Sequence, residues 1–100
     1  MINVALFGLG RIGQMHGENL YAHKKFNLKY TFDIDKNLSK KISNRFNAIS
    51  IDNPKSAFQD KNIDVVFIAS STPTHINLIN EATKYKKVVF CEKPLDLDIK

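Results

Sequence analysis

The chain has 100 residues, of which 43% are hydrophobic, so it can bury one layered core but not the cores of a two-domain enzyme. Its longest apolar run, residues 65–69, is too short to span a bilayer, residues 1–3 show no signal-peptide pattern, and the single cysteine excludes an internal disulfide. The formal net charge of +5 comes from scattered lysines without interleaved aromatic residues, which disfavours a nucleic-acid interface. We therefore expect a cytoplasmic protein with no nucleic-acid, membrane or metal partner.

Apolar strand-like runs alternate with helical patterns along the whole chain. Strands are predicted at residues 2–7, 28–33, 48–51, 64–69 and 88–91. Helices are predicted at residues 11–22, after the cap Asp35, through residue 58 after Asn53-Pro54, and from Thr72-Pro73 onward. This alternation predicts one α/β domain with a parallel sheet and right-handed crossovers.

Two helices carry specific expectations about their faces. In the first, five residues are predicted to lie on or near one face: Ile12, Met15, His16, Asn19 and Leu20. Gly17 lies inside the same helix and is predicted to mark close packing, because glycine weakens a helix by about 1 kcal/mol relative to alanine. In the last helix, the residues predicted to face inward are Leu78, Ile79, Ala82 and Tyr85.

A glycine-rich turn follows the first strand, with the pattern G-x-G-x-x-G at residues 8–13. Gly8 is predicted to make the tight turn, Gly10 to let the backbone approach a pyrophosphate, and Gly13 to let the helix pack close to the sheet. The diphosphate is expected over the helix N-terminus, where free N–H groups and the helix dipole favour negative charge. The alternative is a tight turn without a ligand.

A carboxylate ends the second predicted strand, where Asp33 follows Gly13 by about 20 positions. A carboxylate there accepts hydrogen bonds from the adenosine ribose hydroxyls and repels a 2′-phosphate, so Asp33 favours NAD over NADP. Arg11 points the other way, since its guanidinium can reach a phosphate. The alternative role for Asp33 is that of a turn residue in Asp33-Ile34-Asp35.

Small polar residues follow the fourth predicted strand. Ser70, Ser71, Thr72 and His75 lie at the carboxyl edge of the sheet, where open parallel sheets bind their ligands. We expect them to contact the nicotinamide half of the cofactor. The alternative is a helix start, with Thr72 as its cap and His75 serving its first turn.

The pair Glu92-Lys93 follows the fifth predicted strand at the same edge. Lys93 could donate a hydrogen bond to a substrate oxygen and stabilise charge that develops on it. The alternative is a surface salt bridge between the two side chains.

Together these motifs resemble the Gfo/Idh/MocA family, and most closely its inositol 2-dehydrogenase branch. The matching segments are residues 8–13 with His16, Asp33, residues 63–69 leading to residues 72–75, and residues 88–95. The resemblance implies a Rossmann-type doubly wound sheet of order 3-2-1-4-5. It also implies NAD-linked oxidation of a secondary alcohol on a cyclitol or sugar, with Lys93 polarising the reacting hydroxyl and acting as a catalytic residue. The cofactor contacts implied are Gly8, Gly10, Arg11, Ile12, Gly13, Asp33, Ser70, Ser71, Thr72, His75, Glu92 and Lys93.

Two departures from the family pattern qualify this implication. Lys86 stands where relatives often carry glycine to end a helix. Relatives also have a second domain that supplies a catalytic aspartate and histidine, the substrate pocket and the oligomer interface, which these 100 residues do not include. We therefore expect a fragment that does not turn over substrate, and a homo-oligomer for the full-length form. The alternative is a stand-alone NAD(H)-binding sensory or regulatory module.

Overall fold

The computed structural model describes residues 1–69 and 72–91, with the backbone alone described at residues 72–77. All five predicted strands and four predicted helices are present. In chain order they are β1 Ile2–Phe7, α1 Arg11–Ala22, β2 Phe26–Phe32, α2 Lys36–Arg45, β3 Ile49–Ser50, α3 Lys55–Phe58, β4 Val65–Ile68, α4 Thr72–Lys84 and β5 Val88–Cys91. Asp35 caps α2 as predicted, because it accepts hydrogen bonds from two backbone amides of that helix. The N-cap of α3 is Pro54, one residue later than predicted, and Asn53 before it accepts a hydrogen bond from the amide of Lys55.

The five strands form one parallel sheet in the order β3-β2-β1-β4-β5, which confirms the predicted topology. The chain builds outward from β1 to β3 and then returns to the other side of β1 for β4. Such a reversal leaves a crevice outside the carboxyl ends of β1 and β4, because the connections there run to opposite faces of the sheet. The topology alone therefore points to this edge as the place for a ligand.

Helices cover both faces of the sheet, and the central strand β1 is buried on both sides. Val4 and Leu6 pack in a cluster with residues of α1 and α2. Ala5 and Phe7 pack in a second cluster with residues of α3 and α4. All four side chains are at most 1% exposed, which explains why residues 4–7 of β1 form a continuous apolar run rather than an alternating one.

Helix α1 lies closest to its neighbours at its two buried glycines. Gly13 and Gly17 are its buried residues, whereas Ile12 and Met15 are 45% and 47% exposed. Of the five residues predicted to lie on or near one face, Leu20 packs against the core cluster and His16 contacts the ring of Phe67, whereas the other three are exposed. A Cβ atom at Gly17 would lie 2.6 Å from Cε2 of Phe46, which confirms the predicted close packing there. The helix lies so near its neighbours that larger side chains are displaced to its flanks.

Helix α4 faces the core as predicted, with Leu78 and Ala82 buried and Ile79 and Tyr85 packed against the same cluster. It ends in a Schellman arrangement, in which the amide of Lys87 donates to the carbonyl of Ala82 at 2.9 Å. Lys86 occupies the left-handed position of this cap with a φ of 59°. The cap thus forms with lysine at the position where glycine costs less.

Candidate functional site

The glycine-rich turn begins where β1 ends. Gly8 has a φ of 95°, a conformation that residues with a side chain rarely adopt. Its amide donates to the carbonyl oxygen of Phe32 at 2.9 Å, which ties the start of the turn to the end of β2. The chain then enters α1 at Arg11. The tight turn therefore requires glycine at position 8 for backbone reasons alone.

Gly13 is glycine because of packing inside the protein. A Cβ atom there would lie 1.8 Å from the carbonyl oxygen of Gly8 and 2.8 Å from its carbonyl carbon. Both are backbone atoms of the turn, so neither can rotate away. The third glycine of the motif thus allows the first turn of α1 to lie directly against the end of β1.

Gly10 differs from the other two glycines of the motif, because nothing in the described protein requires it to be glycine. It is extended, with a φ of −70°, and a Cβ atom built on it meets no described atom within 4 Å. Gly10 is also the N-cap of α1, and among the described residues no side chain caps this helix and no acidic residue occupies its first turn. No described side chain therefore caps the amides at the start of α1, which is where an anion can bind to a helix.

Leu9 lies between the first two glycines, and both its backbone amide and its backbone carbonyl are hydrogen-bonded to side chains. Its amide donates to Oδ2 of Asp33 at 2.8 Å, and its carbonyl oxygen accepts from Nε2 of Gln14 at 2.9 Å. Its side chain is fully buried in the cluster beneath α1 and α2. Gln14 could not be identified from the sequence, since nothing in the G-x-G-x-x-G pattern marks the residue that follows it.

Asp33 lies just after β2 and is partly buried. Besides the bond to Leu9, its Oδ1 accepts from the amide of Asp35 at 2.9 Å. The turn role considered for Asp33 is therefore real. It leaves room for a second role, because each carboxylate oxygen has two lone pairs and only one described donor. Ile34 follows with 81% of its surface exposed, at the same edge of the sheet.

The remaining predicted site residues fall into two groups. Arg11 and Ile12 are exposed in the first turn of α1, beside Gly10. The backbone of Thr72 begins α4, and His75 lies in its first turn, but their side chains lie outside the described residues. The other predicted site residues, Ser70, Ser71, Glu92 and Lys93, also lie outside them.

The strands that precede these undescribed residues all end at the edge of the sheet that carries Gly8. Ile68 of β4 pairs with Phe7 of β1 and with Cys91 of β5. The amide of Ala69 donates to the carbonyl of Phe7 at 2.7 Å, which extends the pairing to the start of the turn. The three carboxyl ends thus lie side by side, as the sequence analysis expected of the segments that follow them.

A polar cluster near the amino ends of β4 and β5 lies apart from this edge. Oδ2 of Asp60 accepts from Nζ of Lys29 at 2.6 Å and from the hydroxyl of Tyr30 at 2.7 Å. These hydrogen bonds, that of Lys29 first, hold the pKa of Asp60 well below its usual range. Nζ of Lys87 donates to the carbonyls of Asp60 and Ile63, at 2.6 and 2.8 Å. These hydrogen bonds connect β2 and the residue before β5 to the loop before β4, away from the glycine turn.

Two further findings concern residues 1–69 and 72–91 alone. No group of three or more histidine, cysteine, aspartate or glutamate side chains in that part of the chain is arranged to hold a metal ion. None of its helices is long and apolar enough to cross a membrane.

Known proteins resemble this chain in both sequence and fold. A model of the Gfo/Idh/MocA oxidoreductase family, NAD-binding Rossmann fold, matches residues 2–100. The myo-inositol 2-dehydrogenase of Thermotoga maritima is 34% identical over 99 residues, which cover 98% of this chain and 30% of that enzyme. The myo-inositol dehydrogenase of Corynebacterium glutamicum has a TM-score of 0.88 at 34% identity, with coverage of 98% and 29%. That of Lactobacillus casei, in complex with NAD(H) and myo-inositol, has a TM-score of 0.88 at 28% identity, with coverage of 95% and 29%.

The match extends over nearly all of this chain but only part of each relative. The chain spans about 30% of the length of the curated relatives it matches. Within that span lie the glycine-rich turn, the carboxylate after β2 and the five parallel strands that the sequence predicted. The chain therefore belongs to the Gfo/Idh/MocA oxidoreductase family and forms its NAD-binding Rossmann domain.

Proposed function

We propose that this chain holds NAD for the oxidation of a secondary alcohol on a cyclitol or sugar, as in inositol 2-dehydrogenases. The observation that carries the proposal is Gly10. Neither the backbone nor the packing of the described protein requires glycine there, and no described atom lies within 4 Å of a Cβ atom built on this residue at the N-terminus of α1. A diphosphate that approaches the backbone at this point supplies the missing reason.

The glycine-rich turn and the end of β2 bind different parts of NAD in this proposal. The amides at the start of α1 bind the diphosphate, assisted by Arg11, while Ile12 contacts the cofactor from the first turn. Asp33 accepts hydrogen bonds from the adenosine ribose through the lone pairs that Leu9 and Asp35 leave free. A 2′-phosphate would bring negative charge against this carboxylate, so NAD binds in preference to NADP.

The nicotinamide half is assigned to the segments that follow β4 and β5. The residues proposed to contact it after β4 are Ser70, Ser71, Thr72 and His75. Those proposed to contact it after β5 are Glu92 and Lys93. The support for this assignment is the family resemblance together with the alignment of the strand ends beside Gly8. NAD held by these residues would supply a hydride acceptor for the C–H bond of a secondary alcohol, and the hydroxyl proton would pass to a separate base, so that the products would be a ketone and NADH.

Lys93 is proposed to donate a hydrogen bond to the reacting oxygen and so stabilise the charge that develops on it. The proton acceptor and the substrate pocket belong to a second domain in this proposal, which also forms the oligomer interface. The support is that the matched relatives are named for inositol and are more than three times as long as this chain. The 100-residue chain alone is therefore expected to bind NAD without forming NADH from myo-inositol.

The test is a thermal-shift titration of the chain with NAD and NADP, repeated for Asp33→Asn. This variant removes the charge but keeps an oxygen that can accept from Leu9. NAD should raise the melting temperature more than NADP, and Asp33→Asn should narrow the difference in affinity by about tenfold. Asp64→Asn, which removes a carboxylate at the amino end of β4, is the matched control and should leave the preference unchanged. No shift with either nucleotide would contradict the proposal.

A further inference from the structure

We infer that Gln14 and Asp33 form a clamp on the peptide of Leu9 that sets the shape of the phosphate-binding turn before the nucleotide arrives. The inference rests on the proposed binding of NAD at this turn. Its observation is the pair of hydrogen bonds to one residue, from the Leu9 amide to Asp33 at 2.8 Å and from the Gln14 side chain to the Leu9 carbonyl at 2.9 Å.

Leu9 is the place in the turn where such a clamp has most effect. It lies between Gly8 and Gly10, and glycines lose more conformational freedom on ordering than any other residue. The peptide of Leu9 is fixed through its amide, its carbonyl and a side chain that is fully buried. The clamp therefore fixes the centre of the turn between two residues whose backbones have the most intrinsic freedom.

Gln14 also orients the groups that the diphosphate meets. Its side chain binds the carbonyl of Leu9, and its backbone amide donates to the carbonyl of Gly10 at 2.9 Å. Two successive carbonyl oxygens of the turn are thereby engaged on the protein side. Amides that follow at the start of α1 lack partners one turn back, as in every helix, and are left for the anion. Gln14 thus acts as a positioning residue.

The clamp also gives Asp33 two separable contributions to binding. Its negative charge discriminates against a 2′-phosphate, whereas its role as acceptor for the Leu9 amide holds the turn. Asparagine keeps the acceptor and loses the charge, while alanine loses both. A turn that is ordered beforehand binds more tightly because the nucleotide does not have to order it.

The experiment compares wild type with Gln14→Met, which keeps the length of the side chain and removes its donor. We expect affinities for NAD, NADP and inorganic pyrophosphate to fall by the same factor, about fivefold, the typical effect of one hydrogen bond. The Leu9 amide should also exchange with solvent faster in the free protein. Gln59→Met is the matched control, because Gln59 contacts only the hydroxyl of Tyr85 among its described side-chain hydrogen bonds, and it should change neither quantity.

The same measurements on Asp33 variants complete the test. Asp33→Ala should accelerate exchange of the Leu9 amide and weaken pyrophosphate binding, and Asp33→Asn should restore both toward wild type. Unchanged affinity and unchanged Leu9 exchange in Gln14→Met would overturn the inference, as would a lower melting temperature without any loss of affinity. If wild type binds no NAD, the proposed function fails. Equal Leu9 exchange in wild type and Gln14→Met would then overturn the clamp separately.

Discussion

Replacing Gly13 by alanine is expected to destabilise the fold strongly, although alanine favours helices. The new Cβ atom would lie 1.8 Å from the carbonyl oxygen of Gly8, and real Cβ atoms essentially never approach within 3.0 Å. The helix and the turn would therefore have to separate by more than about 1 Å in a region that is otherwise close-packed. Overpacking of this kind costs about 3 kcal/mol, which exceeds the gain of about 1 kcal/mol from helix propensity.

Urea denaturation followed by circular dichroism measures this loss in free energy of unfolding. Gly10→Ala is the matched control, because its Cβ atom meets no described atom within 4 Å and its φ of −70° suits alanine. The control should lose less than about 1 kcal/mol, the cost of alanine at an N-cap. Equal stability of Gly13→Ala and wild type, or equal losses in the two variants, would show that contact with the Gly8 carbonyl does not require glycine at position 13.

Three further predictions concern stability. Lys86→Gly should raise the free energy of unfolding in urea by about 0.5–1 kcal/mol, because it relieves left-handed strain at a φ of 59° at some cost in entropy; a loss would contradict the cap. Asp35→Ala should lower the free energy of unfolding by about 1 kcal/mol, because α2 loses a cap that accepts hydrogen bonds from two amides. An unchanged midpoint of the urea transition would contradict a stabilising role for this cap. Asp60→Asn should be less stable than wild type above about pH 4 and approach it as the pH falls, because the folded state holds the pKa of Asp60 below its unfolded value. A difference independent of pH in acid titrations would contradict that assignment.

The sequence was sufficient for the architecture because its signals are local. A buried parallel strand is a short apolar run, and a helix start is marked by a cap such as Asp35. The strand order came from the family resemblance and was confirmed. The position of Asp33 at the end of β2 also followed from spacing, although its bond to the Leu9 amide did not.

The features that the sequence could not predict depend on how distant segments meet. The sequence pattern of α1 groups Ile12 and Met15 on or near one face with Leu20, but it does not show that Gly13 and Gly17 are the buried residues of the helix. Likewise, the pairing of β1 and β2 shifts its register between Val4 and Ala5. That shift is a tertiary feature with no counterpart in a period-two pattern.

The most direct test of the account is the affinity of Gly10→Ala for NAD, measured by calorimetry beside wild type. The account holds that glycine is needed there for the ligand and not for the fold. The variant should therefore unfold close to wild type while its NAD affinity falls at least about tenfold, because a methyl group would occupy the space over the helix N-terminus. Binding of NAD to Gly10→Ala with wild-type affinity would show that the diphosphate does not approach this turn, and would contradict the proposed NAD site.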